Sequence, residues 1–169
     1  MKDRILKYYE NAGIVLTKAE KDNLEMTDFG LGNFEKVGLS ICVYVNTEKV
    51  CAKEMVLLPH QTCPEHRHVS SDNRDAKEET FRCRMGKVFL YVSVDECKEK
   101  IQAKTPPTDI TVYKEIVLTP GEQYTIYPGT DHWFQAGDEG AVISEFSTAN
   151  SDETDVFTDK RIKRDSFVN

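Results

Sequence analysis

Residues 111–132 read TVYKEIVLTPGEQYTIYPGTDH. Thr111 to Leu118 and Glu122 to Tyr127 are rich in β-branched and aromatic residues, and each run is closed by a turn, Thr119-Pro120-Gly121 after the first and Pro128-Gly129 after the second. Proline cannot donate to a strand ladder, and glycine reaches backbone conformations that other residues avoid. Such pairs therefore end strands. The same texture spreads outward: Gly38 to Asn46, Lys53 to Leu58, Lys87 to Val94 and Ala141 to Ser147 are further short runs of strand formers. Short strands punctuated by turns predict an all-β sandwich or barrel.

Residues 1–35 have a different period. Ile5, Leu6 and Tyr9 recur at helical spacing and form one apolar stripe. Thr17-Lys18-Ala19-Glu20 has the form of a capping box, and Leu24 and Met26 are expected to continue the helix it starts. Asp28 to Asn33 is a turn-rich break. The expected layout is one domain over 1–169: a helical N-terminal extension at 1–35, a β-barrel at 36–150 and a polar C-terminal tail at 151–169. Ser70 to Ala76 and Glu99 to Thr108 read as surface loops.

Composition narrows the class. Hydrophobic residues are 39% of the chain, enough for a packed core. The net charge of −7, from 22 basic and 29 acidic residues, offers no basic face to nucleic acid. Only Ile5-Leu6 separates Arg4 from Lys7, so no signal peptide is expected, and no stretch approaches the length of a membrane span. Cys42, Cys51, Cys63, Cys83 and Cys97 are odd in number and form no C-x-x-C pair. Free thiols and a cytoplasmic location are the expectation.

His66-Arg67-His68 carries the first chemical signal. Residues i and i+2 of a strand share a face, so both imidazoles can reach one ion, although H-x-H alone is equally the mark of two surface histidines. Glu79 is followed by six residues and Gly86, and His132 follows Pro128-Gly129. This order resembles the two motifs of the cupins, over roughly residues 60–136. The resemblance implies a single-domain cupin barrel, or jelly roll, with His66, His68, Glu79 and His132 as metal ligands. Ten residues separate His68 from Glu79, more than the usual motif has, which leaves Glu78 and Glu79 both open; the spacing to Gly86 favours Glu79. His60 stands where the motif has Gly, and reads as a turn residue. Gly129 comes one position early and Ala136 stands where Asn is common; neither removes a ligand.

A closer likeness is to the D-lyxose isomerases. Gln61-Thr62-Cys63-Pro64-Glu65-His66-Arg67-His68 with Lys77-Glu78-Glu79 resembles their metal-binding region, and Glu145 to Asp155 resembles a late segment running from E-x-S to Thr-Asp. The resemblance implies Mn2+, with Co2+, Zn2+ or Fe2+ as other divalent ions. It implies interconversion of D-lyxose and D-xylulose, with D-mannose and D-fructose as further substrates. It also implies catalytic roles for Glu145, Lys77 and Asp155: Lys77 as a donor to a sugar oxygen, Asp155 as a second acid/base or substrate-orienting group. A homodimer is expected of cupins. Independently of the likeness, Glu145 lies mid-strand between Ile143 and Ser147, and a carboxylate on so apolar a strand is either paired, turned outward or functional. Trp133 and Phe134 flank His132 as candidate walls of the pocket, with core packing the ordinary role for both. Three other readings stay open: an iron dioxygenase, a phosphosugar isomerase and a non-catalytic sugar-binding module.

Overall fold

The computed structural model describes residues 1–71, 75–94, 100–149, 154–164 and 166–168. Cys97, Asn150 and the centres of the 70–76 loop and the acidic segment before Asp155 lie outside the described residues. The elements run α1 (Lys2–Asn11), α2 (Lys18–Asp22), β1 (Glu25–Thr27), β2 (Leu39–Asn46), β3 (Val50–Leu57), β4 (Thr62–Arg67), β5 (Glu79–Val92), β6 (Lys114–Leu118), β7 (Gln123–Ile126), β8 (His132–Thr148) and β9 (Val156–Phe157).

Two strands organise the rest. β5 and β8 are 14 and 17 residues long and pair antiparallel along most of their length. The first half of β5 pairs with β7 and its second half with β6. The first half of β8 pairs with β4, and its second half pairs with β3, which continues to β2 and β1. The shared ribbon therefore turns a corner, and the two halves curl into an all-β barrel of the cupin kind. The corner falls at register shifts around Cys83 to Val88. There Gly86 adopts φ +77 and Gly140 φ +80, and a Cβ on Gly86 would collide with the Gly140 carbonyl oxygen. A strand bends this sharply only where side chains are absent and the ladder is bulged.

Strand alternation sorts the core into layers. Leu39, Ile41, Met55, Leu57, Phe81, Phe134 and Ile143 fill the barrel interior. On the outer face, Cys42, Val56, Leu58 and Val142 pack under Ile5 and Tyr9 of α1, and Tyr91 and Trp133 pack under Ala103 and Val112. The capping box forms as read, with Thr17 Oγ1 accepting from the Glu20 amide and Glu20 Oε2 accepting from the Thr17 amide. Leu24 and Met26 do not continue α2. That helix stops at Asp22, and Glu25–Thr27 becomes an edge strand because it finds Leu39–Ile41 as a ladder partner. Residues 141–147 are only the second half of the strand that starts at His132, and 87–94 extends backward to Glu79. Among the described residues no helix is long and apolar enough to cross a membrane.

Candidate functional site

The barrel interior changes character at one end. His66 projects from β4 and His68 from the residue just past its end, and His132 opens β8 directly opposite His66 in the ladder. Their nitrogens lie within 4.8 Å of one another, and all three side chains are buried. Glu79, the first residue of β5, faces them: its Oε1 is 3.0 Å from His132 Nε2 and 3.3 Å from His68 Nε2. Glu78 is exposed, as its opposite parity on the strand requires.

Each imidazole is oriented from behind. His66 Nδ1 lies 2.8 Å from the Pro64 carbonyl oxygen and His132 Nδ1 3.0 Å from that of Thr130. Carbonyl oxygens only accept, so these Nδ1 atoms carry the proton and each Nε2 presents a lone pair. His68 Nδ1 donates to Asp155 Oδ1 at 2.5 Å. On the facing side, His68 Nε2, His132 Nε2 and Glu79 Oε1 are buried with no hydrogen-bond partner of acceptable geometry. Buried polar atoms are seldom left this way. Imidazole nitrogens and a carboxylate oxygen pointed at one another, each ring fixed by a second bond, are the donors that suit a divalent transition ion.

Beside this cluster lies a ladder of buried charge. Lys77 Nζ is 2.7 Å from Glu79 Oε2 and 3.0 Å from Glu145 Oε1. Lys53 Nζ, from β3, is 3.6 Å from the same Glu145 oxygen, and Ser147 Oγ donates to it at 3.2 Å. Glu145 therefore turns inward from β8, in phase with Ile143. Lys53, Lys77, Glu79, Glu145, His66, His68 and Asp155 line a narrow cavity of about 30 Å3 that opens to solvent, with Phe29, Phe157 and Phe134 among its apolar walls. The mixed lining, charged at one side and aromatic at the other, suits a small polar ligand.

The electrostatics follow from the packing. Burial, with His132 and His68 alongside, holds His66 well below its ordinary value, so it is a neutral imidazole. Burial opposes a charge on His68 too, but Glu79 and Asp155 outweigh it and lift the ring to about 9. Burial would raise Glu79, yet Lys77, His68 and His132 together hold its carboxyl well below the usual range. A cation at this point competes with the His68 proton for the same electron pairs.

Sequence reasoning missed Lys53 and the contact that Asp155 makes with the ring of His68. Lys53 carried one readable sign: it shares the inward phase of Met55 and Leu57 in a run of apolar neighbours. His60 is not part of the cluster. It takes a left-handed turn at φ 58 and places Nε2 3.0 Å from Asp138 Oδ1. Phe134 walls the cavity, whereas Trp133 stacks on Tyr91 on the outer face and donates to the Val112 carbonyl.

A curled β-barrel with three imidazoles and a carboxylate turned into its mouth defines a cupin-type protein whose three-histidine group could hold a metal ion, with a buried lysine–carboxylate ladder beside it. The chain belongs to the D-lyxose isomerase family, whose model matches residues 16–169. It is 54% identical over 166 residues to the D-lyxose ketol-isomerase of Cohnella laeviribosi, covering 96% of this chain and 91% of that one. It is 53% identical over 167 residues to the D-lyxose/D-mannose isomerase of Thermosediminibacter oceani, covering 97% and 92%. Among solved structures, the L-ribose isomerase of Cellulomonas parahominis with L-psicose superposes with a TM-score of 0.68 at 14% identity, covering 92% of this chain and 88% of that one, a likeness of fold.

Proposed function

We propose that the protein is a metal-dependent aldose–ketose isomerase that interconverts D-lyxose and D-xylulose and, more slowly, D-mannose and D-fructose. In this reading His66, His68, Glu79 and His132 hold the ion, and manganese is the ion proposed. The chain works as a single domain, in the cytoplasm and as a homodimer, on free monosaccharides. What supports the acid–base assignment is one observation above the others: Glu145 is a buried carboxylate that faces the cavity, stands outside the ligand set and is tied to ligand Glu79 through the Lys77 ammonium.

When bound, a divalent ion supplies Lewis acidity to the vicinal oxygens of the open-chain sugar. The chain's own residues do the rest. Glu145 accepts the proton from C2 of the aldose and returns it to C1, through an enediol. Lys77 sits between Glu145 and Glu79 and donates toward the sugar oxygen on which negative charge grows, so charge leaving Glu145 stays near an ammonium. Asp155 keeps His68 in the tautomer and orientation a ligand needs. The apolar walls limit water around the enediol.

The test is a product assay of purified, chelator-stripped protein on a panel of free aldoses, with and without Mn2+. D-xylulose from D-lyxose only after metal addition is the expected result, with solvent deuterium washed into C1 of the ketose. Glu145→Gln should keep its metal and lose turnover by about 10²–10⁴-fold. Activity without any metal would overturn the metal-dependent reading, and full activity in Glu145→Gln would remove it as the base.

A further inference from the structure

We propose that Lys53 is a positioning residue for the isomerisation: its ammonium, with Lys77, pins Oε1 of Glu145 so that Oε2 is the oxygen that exchanges the substrate proton. The inference rests on Glu145 being the base and adds how that base is aimed.

Lys53 and Glu145 are direct cross-strand partners in the β3–β8 ladder, both turned into the barrel. Their side chains are each only 4% exposed, with Nζ 3.6 Å from Oε1. Taking an ammonium out of water costs several kcal/mol before any partner is counted. The inward neighbours on the same strand are Met55 and Leu57, so an apolar residue at 53 would be the cheaper way to build this wall. A lysine there calls for a reason beyond packing, and its position supplies one.

Two hydrogen-bond donors and a further ammonium at ion-pair distance converge on a single oxygen. Lys77 Nζ at 3.0 Å, Ser147 Oγ at 3.2 Å and Lys53 Nζ at 3.6 Å all address Oε1. They approach from three sources: the segment before β5, β8 itself and β3. A carboxylate held at one oxygen by two hydrogen bonds and an ionic contact resists rotation about its terminal bond, so its second oxygen favours one direction. A base that must meet C2 and then C1 of one substrate gains most from such fixing, because misplacement by about 1 Å costs about 10²-fold. Two ammoniums beside one carboxylate also suit the reaction's charge flow. As Glu145 is protonated its charge is lost and the sugar oxygen becomes negative a short distance away, where both cations stabilise it without moving.

The experiment uses the full chain loaded with Mn2+. Lys53→Met keeps the length of the side chain and removes the charge; Lys53→Gln keeps a donor without charge. For Lys53→Met the expectation is a kcat lower by about 10–10²-fold with KM changed little, and with metal per chain and melting temperature near those of the parent. Lys53→Ala should regain turnover on addition of methylammonium, an outcome that a purely structural role does not give. Combined with Glu145→Gln, Lys53→Met should cost little more, because both act through one carboxylate. Parental kcat in Lys53→Met, with Glu145→Gln inactive, overturns the role of Lys53 and leaves the base in place. Losses that multiply in the double variant, or that track lost metal and are not relieved by methylammonium, also overturn it. If Glu145→Gln retains full turnover, the base assignment falls and this proposal falls with it.

Discussion

Glu65→Leu should destabilise the fold far more than its surface-loop partners would lead one to expect. Glu65 precedes His66 and points to the other face of β4, where it is fully buried. Its carboxylate accepts from the Thr111 amide at 2.7 Å, the Val112 amide at 3.1 Å and the hydroxyls of Thr111 and Thr158 at 2.6 Å each. One side chain thus ties β4 to the segment before β6 and to the segment after β9. Leucine fills most of the same space, which keeps water from replacing the lost acceptors. The two hydroxyls can rotate toward other partners; the two amides cannot. At about 1–3 kcal/mol for each stranded buried donor, the cost is about 2–6 kcal/mol, a large share of a total stability of about 5–15 kcal/mol. For a chain of this length a loss of about 4 kcal/mol lowers Tm by about 8–16 °C. Glu65→Gln, which keeps one acceptor oxygen, should fall between the two. Urea melts of metal-free protein measure this directly, since no ion then adds its binding energy to the folded state. A Glu65→Leu protein within 1 kcal/mol of the parent would refute the argument that these four bonds are the clasp.

Three further outcomes follow from the geometry. Glu79→Gln should strip most of the bound metal and Glu78→Gln almost none, measured as metal per chain after gel filtration; the reverse order would shift the ligand by one residue. Asp155→Asn should weaken metal affinity by about 10–100-fold, as loss of a ligand's orienting partner does, and a metal titration that instead shows parental affinity with lost turnover would return Asp155 to an acid–base role. Glu54, buried under α1 with Ser144 Oγ at 2.6 Å from its Oε1, is raised above the ordinary carboxylate value of 4.5 by burial, against smaller opposing effects of Ser144 and Arg84. A raised acid contributes its stability below its unfolded value and loses it as pH climbs through the folded one. Glu54→Gln should therefore be the more stable protein near neutrality and gain nothing below 4.5; equal melts at both ends would contradict the burial argument.

The gathering of His66, His68, Glu79 and His132 was legible because its signals are local. H-x-H at strand spacing needs no tertiary knowledge to place two imidazoles together, and the spacing from Glu79 to Gly86 marks the distance from the cluster to a corner. The capping box was legible for the same reason: its two bonds close within four residues. Glu65 was not, since its partners are 46 and 93 residues away in sequence. Nor was β1, whose three residues become a strand only because Leu39–Ile41 offers an edge. The full length of β8 was hidden by Gly137-Asp138-Glu139-Gly140, which reads as a turn and is in fact a bend within one strand. Lys53 was hidden by its own type: a lone lysine in a strand reads as surface until a facing carboxylate across the ladder shows which way it points.

That bend has a consequence for how such an enzyme can be remodelled. His132 and Glu145 are thirteen positions apart on a single strand, which drawn straight would separate them by roughly 43 Å. The corner at Gly86 and Gly140 folds that length back so that both side chains reach the same end of the barrel interior. Curvature is thereby a dial on the spacing between them, adjustable from residues that touch no substrate. The dial has a hard stop in parity: removing one residue from 137–140 would keep His132 in place while swinging Glu145 to the outer wall and Phe146 into its seat. Engineers seeking altered sugar preference would find graded control in substitutions around this elbow, and an abrupt loss of chemistry in single-residue insertions or deletions there.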